Sequence, residues 1–414
     1  MTQFKYLIIG GGVAGTTAAE TIRQNDPSGS IAIVSDEPHV FYSRIMLSKP
    51  IFFLEKIPFE QVYLKNETWY KERNIAFLGG KTAVGMNAEE KTVSLDDGAV
   101  LQYEKLLLAI GGYPRKWDPQ KIQGSDKKGV CYLRTLEDAK KIIEGVKTAK
   151  SAVCVGGGFV SFEACELLRM KNIDTTLLIM EPHYWANVWD ETSGLIVEEY
   201  LRQGGVNVLK NEEVEKVFGA DRVESVRTKS GKDIPCQMVV VGIGLTFPVG
   251  PFKDCMDCGR GIKTNEYLET NALDVWAAGD AVEFYDVVVG ESVQLGNWVN
   301  AQVQGRVAGL NMLGKKQPFR MVSFYTTQGF GLSIAFVGDI RPLPDRTVIT
   351  RGSRESKSYG RLILKDKELV GATLLNRTPE MAPISKLIEK DVDLSAHHAE
   401  LADPNFDLKM LILS

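Results

Sequence analysis

The chain has 414 residues, of which 44% are hydrophobic and 25% charged, and its net charge is −4 at pH 7. A chain of this length is longer than one hydrophobic core usually accommodates, so we expect two or three domains. The net charge is small and no block of like charges occurs, so the composition gives no sign of a nucleic-acid-binding surface. Because no apolar run approaches the roughly 18 residues of a membrane span and no secretory pattern stands at the start, we expect a cytoplasmic protein.

A glycine-rich turn at residues 10–15 follows an apolar β-branched run and opens an alanine-rich stretch. Residues 5–9 predict a buried strand and residues 16–24 a helix. In this setting glycines allow the backbone to approach a pyrophosphate at the helix N-terminus, so the turn predicts a dinucleotide site. The residues of this predicted site are Gly10, Gly12, Val13, Ala14 and Gly15.

An acidic pair follows the next predicted strand, Ile31 to Val34. An acidic residue about 20 positions beyond the glycines accepts hydrogen bonds from a ribose. Asp36 and Glu37 both satisfy this spacing, so either is a candidate.

Two β-hairpin patterns occur at corresponding places in the two halves of the chain. Residues 92–101 predict a hairpin that leads into a buried strand at 105–110, and residues 223–233 predict a hairpin that leads into a buried strand at 238–244. Both buried runs end in glycines. We interpret the two halves as diverged copies of one structural arrangement.

A second glycine-rich turn at residues 156–161 follows a predicted strand at 151–155 and opens a predicted helix at 162–170. It predicts a second dinucleotide site. Ser161 replaces the third glycine, so we expect looser packing of helix against strand there. The residues of this predicted site are Gly156, Gly158, Phe159 and Val160.

Glu181 stands at the carboxyl end of the next predicted strand, residues 175–180, and is followed by Pro182 and His183 rather than by an arginine. A carboxylate binds the two free ribose hydroxyls of NADH but repels the 2′-phosphate of NADPH. The sequence therefore predicts NADH as the coenzyme.

Residues 270–280 predict a strand that ends at Gly279, with the Asp280 carboxylate at a helix start. From Ser323 the pattern changes to short strands, with an amphipathic helix at 383–389. This region predicts a small, mainly antiparallel α+β domain. Its predicted strands are 333–338, 346–351, 359–364 and 369–375.

The six cysteines are scattered, and Cys154 and Cys165 lie on predicted buried faces, which favours reduced thiols over a disulfide framework. The one close pair is Cys255 and Cys258. No second pair or histidine cluster completes a zinc site. A redox or metal role and a pair of free thiols in a surface loop both remain open, and we predict no metal ligand.

Taken together, six segments in order resemble the two-dinucleotide flavoproteins of the glutathione reductase type. Within these the chain is similar to the branch that contains NADH-rubredoxin and NADH-ferredoxin reductases, apoptosis-inducing factor and the flavin part of NADH-nitrite reductase. The segments that carry the resemblance are residues 10–15, 42–49, 107–112, 156–161, 270–280 and 297–306.

The resemblance implies an α/β fold with two Rossmann-type dinucleotide-binding domains and a small C-terminal α+β domain. The implied FAD domain is discontinuous, comprising residues 1–113 and 244–320. The implied NADH domain comprises residues 114–243, and the implied C-terminal interface domain comprises residues 321–414.

The resemblance also assigns roles. FAD would fill the first site and NADH the second, with Asp280 at the ribityl or pyrophosphate region and Arg44 at a phosphate. Lys49 would lie near flavin N5, paired with Glu163, and these two are the implied catalytic residues. Trp298 would lie against the flavin or, alternatively, be a core tryptophan that caps a helix. Further implied cofactor contacts are Ala109, Gly111, Gly242, Gly244 and Gly279.

Thiol-dependent relatives carry cysteines in the first helix or just ahead of the flavin, whereas residues 41–50 of this chain contain none. Without a thiolate there is no covalent relay. The resemblance then implies hydride transfer from NADH to flavin N5, followed by single-electron transfer to a rubredoxin, ferredoxin or other iron-sulfur protein, in either physiological direction, by a monomer or homodimer. An oxygen-reducing NADH oxidase and a redox-sensing protein similar to apoptosis-inducing factor are the alternatives.

Overall fold

The computed structural model describes residues 2–412. Contacts between residues divide the chain into two compact units, each built from three separate stretches. The first unit comprises Met1–Ser43, Glu60–Tyr113 and Thr246–Ser323, and the second comprises Arg44–Phe59, Pro114–Leu245 and Phe324–Ser414. The domain boundaries given above, at residues 113, 243 and 320, stay a prediction.

The first unit is built on a seven-stranded sheet. Its helices are Val13–Asn25, Glu67–Glu72 and Trp298–Met312, with a 3-10 turn at Phe59–Val62 on its border. Its strands are Thr2–Ile9, Ile31–Ser35, Ile75–Gly79, Ala83–Asn87, Thr92–Leu95, Val100–Leu108, Ile262–Thr264, Val275–Ala277, Val282–Asp286 and Glu291–Val293.

Five parallel strands form the centre of this sheet. Their order is Ile75–Gly79, Ile31–Ser35, Thr2–Ile9, Val100–Leu108 and Val275–Ala277. The central strands are continuous apolar runs because both faces of the sheet are covered, and Leu7 and Ile8 are fully buried. This strand order is that of a Rossmann-type sheet, as the sequence predicts. The hairpin predicted at 92–101 is also confirmed, since Thr92–Leu95 pairs antiparallel with Val100–Leu108.

Two helices from opposite ends of the first unit's sequence pack closely together. A Cβ added at Gly305 would stand 2.2 Å from the carbonyl oxygen of Ala14, and one at Gly309 would stand 3.1 Å from that of Ala18. Glycines four residues apart therefore give Trp298–Met312 a face on which Val13–Asn25 can lie backbone to backbone.

The second unit contains two sheets of five strands and a smaller one of three. Its α-helices are Pro50–Phe53, Leu136–Val146, Phe159–Met170, Glu191–Gln203, Met381–Glu389 and His398–Ala402, and its 3-10 helices are Arg44–Ser48, Thr378–Glu380 and Leu408–Ile412. Its strands are Val130–Cys131, Ser151–Val155, Asp174–Leu178, Val206–Leu209, Val214–Phe218, Ser225–Thr228, Asp233–Pro235, Met238–Val241, Phe324–Gly329, Leu332–Gly338, Arg346–Ser353, Ser358–Lys365 and Glu368–Leu375. Short strands at Tyr113–Pro114 and Leu245–Thr246 lie where the chain passes from one unit to the other. Within residues 2–412, no helix combines the length and the apolar character that crossing a bilayer requires.

One five-stranded sheet of the second unit is entirely parallel and repeats the Rossmann pattern. Its order is Val206–Leu209, Asp174–Leu178, Ser151–Val155, Met238–Val241 and Val130–Cys131. Both glycine-turn helices begin directly at the turn, at Val13 and Phe159, three residues earlier than the sequence patterns predict.

The other five-stranded sheet is antiparallel and is formed by residues 324–375. Four of its strands match the predicted ones, but Phe324–Gly329 was not predicted. Its sequence, Phe-Tyr-Thr-Thr-Gln-Gly, lacks a clear apolar alternation. The structure nevertheless pairs all six of its residues with Leu332–Gly338.

The prediction for residues 270–280 was partly wrong. Only Val275–Ala277 is a strand, because Asp274 adopts a left-handed backbone conformation with φ of 61° that breaks the extended run. Asp280 does not begin a helix: it lies in the turn before the strand Val282–Asp286. The helix in this part of the chain begins at Trp298 instead.

Candidate functional site

The first glycine turn joins the strand Thr2–Ile9 to the helix Val13–Asn25, whose first two residues are the predicted site residues Val13 and Ala14. Gly10 has a φ of 121°, and a Cβ there would stand 2.0 Å from the carbonyl oxygen of Ala109. A Cβ at Gly15 would stand 2.0 Å from the carbonyl oxygen of Gly10. A Cβ at Gly12, the N-cap, would meet nothing within 4 Å. Gly10 and Gly15 thus serve the fold, whereas Gly12 leaves open space at the helix N-terminus, where a pyrophosphate fits.

The two acidic candidates of the first unit follow the strand Ile31–Ser35. Glu37 is buried, and its Oε2 accepts a hydrogen bond of 2.6 Å from the Tyr42 hydroxyl. Asp36 is exposed and accepts a hydrogen bond from the Tyr113 hydroxyl. Both carboxylates therefore have a protein partner, and Asp36 is the one that solvent or a ligand reaches.

Four further predicted cofactor contacts, Ala109, Gly111, Gly279 and Asp280, lie at the carboxyl ends of neighbouring parallel strands. The amide of Ala278 donates to the carbonyl of Leu108, which places the turn at Gly279 and Asp280 beside the segment Ala109–Gly111. Gly279 and Gly111 have φ of 94° and 57°, and the amide of Gly279 donates to Oε1 of Gln304 at 2.8 Å. The sheet edge that holds the first glycine turn thus also holds these residues.

Trp298 is the first residue of the helix Trp298–Met312 and is half-buried. Its ring stacks on Phe41, with 5.7 Å between ring centroids and 16° between planes. The helix is capped by the neighbouring Asn297, whose side chain accepts from the amide of Asn300. Trp298 therefore does not itself supply the cap.

The second glycine turn has the same geometry as the first. Gly156 has a φ of 112°, and a Cβ there would stand 2.2 Å from the carbonyl oxygen of Gly242. A Cβ at the N-cap Gly158 would meet nothing within 4 Å, and Gly244, with a φ of 97°, also faces open space. Ser161 is fully buried and its hydroxyl donates to the carbonyl of Val155 at 3.0 Å. The serine is therefore tied to the strand by a hydrogen bond that a glycine would lack.

Glu181 lies just beyond the strand Asp174–Leu178, at the same sheet edge as the second turn. Its Oε1 accepts a hydrogen bond of 3.2 Å from Nδ2 of Asn187. Its Oε2 is buried and has no hydrogen-bond partner within residues 2–412. A buried carboxylate oxygen without a donor is costly, and a ribose hydroxyl is a donor that would satisfy it.

Lys49 and Glu163, 114 residues apart in sequence, form an ion pair in the second unit. The Lys49 Nζ to Glu163 Oε1 distance is 2.6 Å, and the two side chains are 34% and 8% exposed. Lys49 is the N-cap of the short helix Pro50–Phe53, and Glu163 lies on the first turns of Phe159–Met170. The structure thus brings together the two residues that the resemblance pairs.

A third residue, Thr327, completes this arrangement and was missed in the sequence. Its hydroxyl donates to the same Glu163 Oε1 at 2.7 Å. Thr327 is buried and belongs to the unpredicted strand Phe324–Gly329. No local pattern marks a threonine 164 residues from its partner, so only the folded sheet reveals it.

Arg44, a predicted site residue, and Glu166, which the sequence did not single out, both have hydrogen-bond partners in the second unit. Arg44 donates from Nη1 to the carbonyl of Arg134 at 3.0 Å. Next to the ion pair, burial raises the pKa of Glu166, although the amide of Phe330 donates to its Oε1 at 2.7 Å. Glu166 therefore takes up a proton more readily than an exposed glutamate.

All six cysteines are free, and Cys154 and Cys165 are buried as predicted. Burial raises the pKa of Cys131 to about 11 and that of Cys236 to about 12, so both stay protonated at neutral pH. Cys255 and Cys258 are partly exposed, and Cys255 contacts the carbonyl of Met86 through its sulfur.

Comparison with known proteins agrees with this geometry. Residues 4–305 match the model of the pyridine nucleotide-disulphide oxidoreductase family, and residues 324–412 match that of the reductase C-terminal family. The chain is 28% identical over 400 residues to the NAD(P)H nitrite reductase of Bacillus subtilis (strain 168), an alignment that covers 95% of this chain. It spans only about half of that protein, 48% of its length.

A second relative matches along nearly its whole length. The chain is 28% identical to the ferredoxin–NAD(+) reductase component of the biphenyl dioxygenase system of Paraburkholderia xenovorans (strain LB400), over 98% of this chain and 97% of that protein. The reductase in the crystal structure of the covalent putidaredoxin reductase–putidaredoxin complex superposes with a TM-score of 0.91 at 25% identity, covering 100% of this chain and 99% of that one.

These matches confirm the fold of two dinucleotide-binding domains with a C-terminal domain, and they confirm FAD and NAD(P)H as the cofactors. The open N-cap glycines of both turns fit these dinucleotides. The protein is thus a flavin-dependent oxidoreductase of the electron-transfer type. The family model covers residues 4–305, and both glycine turns suit the cofactors of this family. The chain therefore belongs to the pyridine nucleotide-disulphide oxidoreductase family.

Proposed function

We propose that this protein oxidises NADH and passes the electrons singly to an iron-sulfur protein of the ferredoxin or rubredoxin class. The observation that carries the proposal is the absence of a cysteine from residues 41–50, together with the Lys49–Glu163 ion pair in the second unit. When bound, FAD supplies the conversion of a two-electron donor into single-electron steps, which no side chain provides.

The four buried cysteines support this proposal because none of them is placed to act as a thiolate relay. Cys131, Cys154, Cys165 and Cys236 are buried, and burial raises the pKa of Cys165 as well as those of Cys131 and Cys236. A protonated, inaccessible thiol neither attacks a disulfide nor carries electrons onward. Six free thiols also suit a reducing compartment, so we place the protein in the cytoplasm.

Glu181 supports NADH over NADPH. Its unpartnered Oε2 would accept from a ribose hydroxyl, and its charge would repel a 2′-phosphate. The first-unit residues proposed to hold FAD are Gly10, Gly12, Val13, Ala14, Gly15, Asp36, Glu37, Ala109, Gly111, Gly279, Asp280 and Trp298. The second-unit residues proposed to act on the cofactors are Arg44, Lys49, Gly156, Gly158, Phe159, Val160, Glu163, Glu181, Gly242 and Gly244.

Two relatives support the class of acceptor. One is named as a ferredoxin–NAD(+) reductase component, and the other was crystallised as a covalent complex with putidaredoxin. We propose an acceptor of the same chemistry for this chain.

The test is an anaerobic assay of the FAD-loaded protein with NADH or NADPH and with a purified ferredoxin or rubredoxin. We expect rapid acceptor reduction with NADH, slower reduction with NADPH, and oxygen consumption in air much slower than acceptor reduction. Rapid bleaching of the flavin by NADH without reduction of either acceptor would count against the acceptor class. Oxygen uptake as fast as protein reduction would favour an oxidase.

A further inference from the structure

Tyr184 lies beneath the second glycine turn and is 1% exposed. Its hydroxyl donates a hydrogen bond of 2.7 Å to the carbonyl oxygen of Gly158. The same carbonyl accepts the amide of Phe162 at 3.1 Å, the first hydrogen bond of the helix Phe159–Met170. Burial raises the pKa of Tyr184 well above its usual range, so the phenol keeps the proton that it donates.

Trp185 extends this contact along the turn. A Cβ added at Gly157 would stand 3.2 Å from the amide nitrogen of Trp185, so the two backbones nearly touch. The Trp185 ring meets Phe159 edge to face with 4.7 Å between centroids. Trp185 has a φ of 54°, an unusual conformation for a bulky residue that this packing holds in place. Three consecutive turn residues, 157–159, thus contact Tyr184 or Trp185.

The backbone of Tyr184 is itself anchored to a buried carboxylate. Its amide donates to Oε1 of Glu198 at 3.0 Å, and Glu198 is fully buried. Nη2 of Arg202 lies 3.0 Å and Nζ of Lys210 lies 3.4 Å from Oε2 of Glu198, so the buried charge is paired. Removing Arg202 or Lys210 would leave the buried carboxylate with an uncompensated charge, which is costly. The two ion pairs therefore hold Glu198 in place, and Glu198 anchors the backbone of Tyr184.

From these contacts we propose that Tyr184 is a positioning residue for the pyridine nucleotide. It ties the turn that faces the pyrophosphate, at Gly158, to the segment that begins with the ribose-binding candidate Glu181, three residues earlier. Neither Tyr184 nor Glu198 needs to touch the coenzyme. Their effect falls on coenzyme affinity and not on the chemical step, because the hydroxyl fixes a backbone that is present before binding.

The proposal rests on the proposed function only in assuming that the second turn binds a pyridine nucleotide. The test compares wild type with Tyr184→Phe in the FAD-loaded protein, using calorimetric titration with NAD+ and with NADP+. Losing one buried hydrogen bond should raise both dissociation constants by about tenfold, with their ratio unchanged since Glu181 remains. In turnover with NADH, KM should rise by a similar factor while kcat changes less than twofold.

Two further variants sharpen the test. Tyr6→Phe is the matched control: Tyr6 is similarly buried, with 2% exposed, and its hydroxyl donates to Asp26 at 2.9 Å, but it lies in the first unit. It should lower thermal stability like Tyr184→Phe yet leave both dissociation constants unchanged. Glu198→Gln should weaken binding by a smaller factor, because its amide oxygen still accepts from the Tyr184 amide.

The inference fails if Tyr184→Phe and Glu198→Gln bind both coenzymes as wild type does, or if kcat falls while affinity is retained. The proposed function fails separately, on wild type alone, if NADP+ binds more tightly than NAD+. In that case the ratio of variant to wild-type affinities still decides the role of Tyr184.

Discussion

Thr327 and Glu163 are joined by a hydrogen bond of 2.7 Å from the threonine hydroxyl to Oε1 of the carboxylate. Oε1 also receives the ammonium of Lys49 at 2.6 Å. Thr327 and Glu163 are both buried, with 4% and 6% of their surface exposed. The carboxylate is therefore held from two sides, by a cation and by a neutral donor, so its direction does not depend on Lys49 alone.

The first prediction concerns this threonine. Thr327→Val keeps the shape but removes the donor, so Glu163 gains freedom and we expect flavin reduction by NADH to slow by about three- to tenfold. Stopped-flow absorbance under anaerobic conditions measures the rate. Thr326→Val is the control, because Thr326 is exposed on the opposite face of the same strand. Thr327→Ser should restore most of the rate. Equal slowing in the Thr326 variant would contradict a specific role of the Thr327 hydroxyl in orienting Glu163.

The second prediction concerns the ion pair. We expect Lys49→Met to shift the flavin midpoint potential to more negative values, because Lys49, if it lies near the flavin as proposed, would stabilise the negative charge of the reduced ring. Glu163→Gln removes the negative charge that compensates Lys49, so it should shift the potential in the opposite direction, to more positive values, and both variants should retain FAD. Spectroelectrochemical titration gives the potentials. Lys65→Met, which breaks the 3.0 Å pair with Glu20, is the control that should leave the potential in place. Wild-type potentials and rates in both variants would remove the pair from the mechanism.

The third prediction separates the two kinds of glycine in the second turn. Gly158→Ala places a methyl group where nothing lies within 4 Å, so the protein should fold and bind FAD while KM for NADH rises. Gly156→Ala places a methyl group 2.2 Å from the carbonyl of Gly242 at a φ of 112°, so it should lower the melting temperature markedly. Thermal melts and steady-state kinetics of both variants check this. A destabilised Gly158→Ala with normal KM would contradict it.

The fourth prediction concerns coenzyme choice. Glu181→Ala removes the carboxylate that would bind the ribose hydroxyls, so we expect the ratio of kcat/KM for NADH to that for NADPH to fall by about tenfold. Asn187→Ala is a useful companion, since it removes only the donor to Oε1 and leaves the charge. A wild-type preference for NADPH, or an unchanged ratio in Glu181→Ala, would refute the assignment.

The fifth prediction is a pH dependence of stability. The ammonium of Lys5, the amide of Gly29 and the hydroxyl of Tyr6 hold the pKa of the Asp26 carboxyl well below its ordinary value of 3.8. A depressed carboxyl pKa stabilises the fold above the ordinary value, and the contribution is lost as the pH falls below it. Asp26→Asn should therefore lower the free energy of unfolding by about 2 kcal/mol at neutral pH. Urea unfolding of both proteins should show the gap closing in acid; a constant gap would contradict this origin.

Local features of the fold were readable from the sequence. Each glycine turn is specified within about ten residues by an apolar run, by positions that tolerate positive φ and by a helix-forming stretch. Gly10 and Gly156 occupy the same geometry for this reason. The position of Glu181 at the carboxyl end of the strand Asp174–Leu178 was also predictable, since this strand follows the second glycine turn and its helix in the same order as in the first half.

What the sequence did not reveal depends on distant neighbours. The strand Phe324–Gly329 is stabilised by pairing with Leu332–Gly338 rather than by its own polar composition, so Thr327 stayed hidden. The run at 270–280 looks extended, but Asp274 turns the backbone and Asp280 lies ahead of another strand. Tyr184 gave no signal because its partner is a carbonyl 26 residues away.

The order of the first unit's sheet bears on how the chain folds during synthesis. The strand Val275–Ala277 completes the parallel sheet beside Val100–Leu108, and Trp298–Met312 packs on Val13–Asn25. Nascent chain that ends before residue 312 therefore exposes apolar surface that its missing elements would cover. An N-terminal fragment truncated near residue 245 should aggregate, and the ribosome must release almost the whole first unit before that nucleotide-binding fold closes.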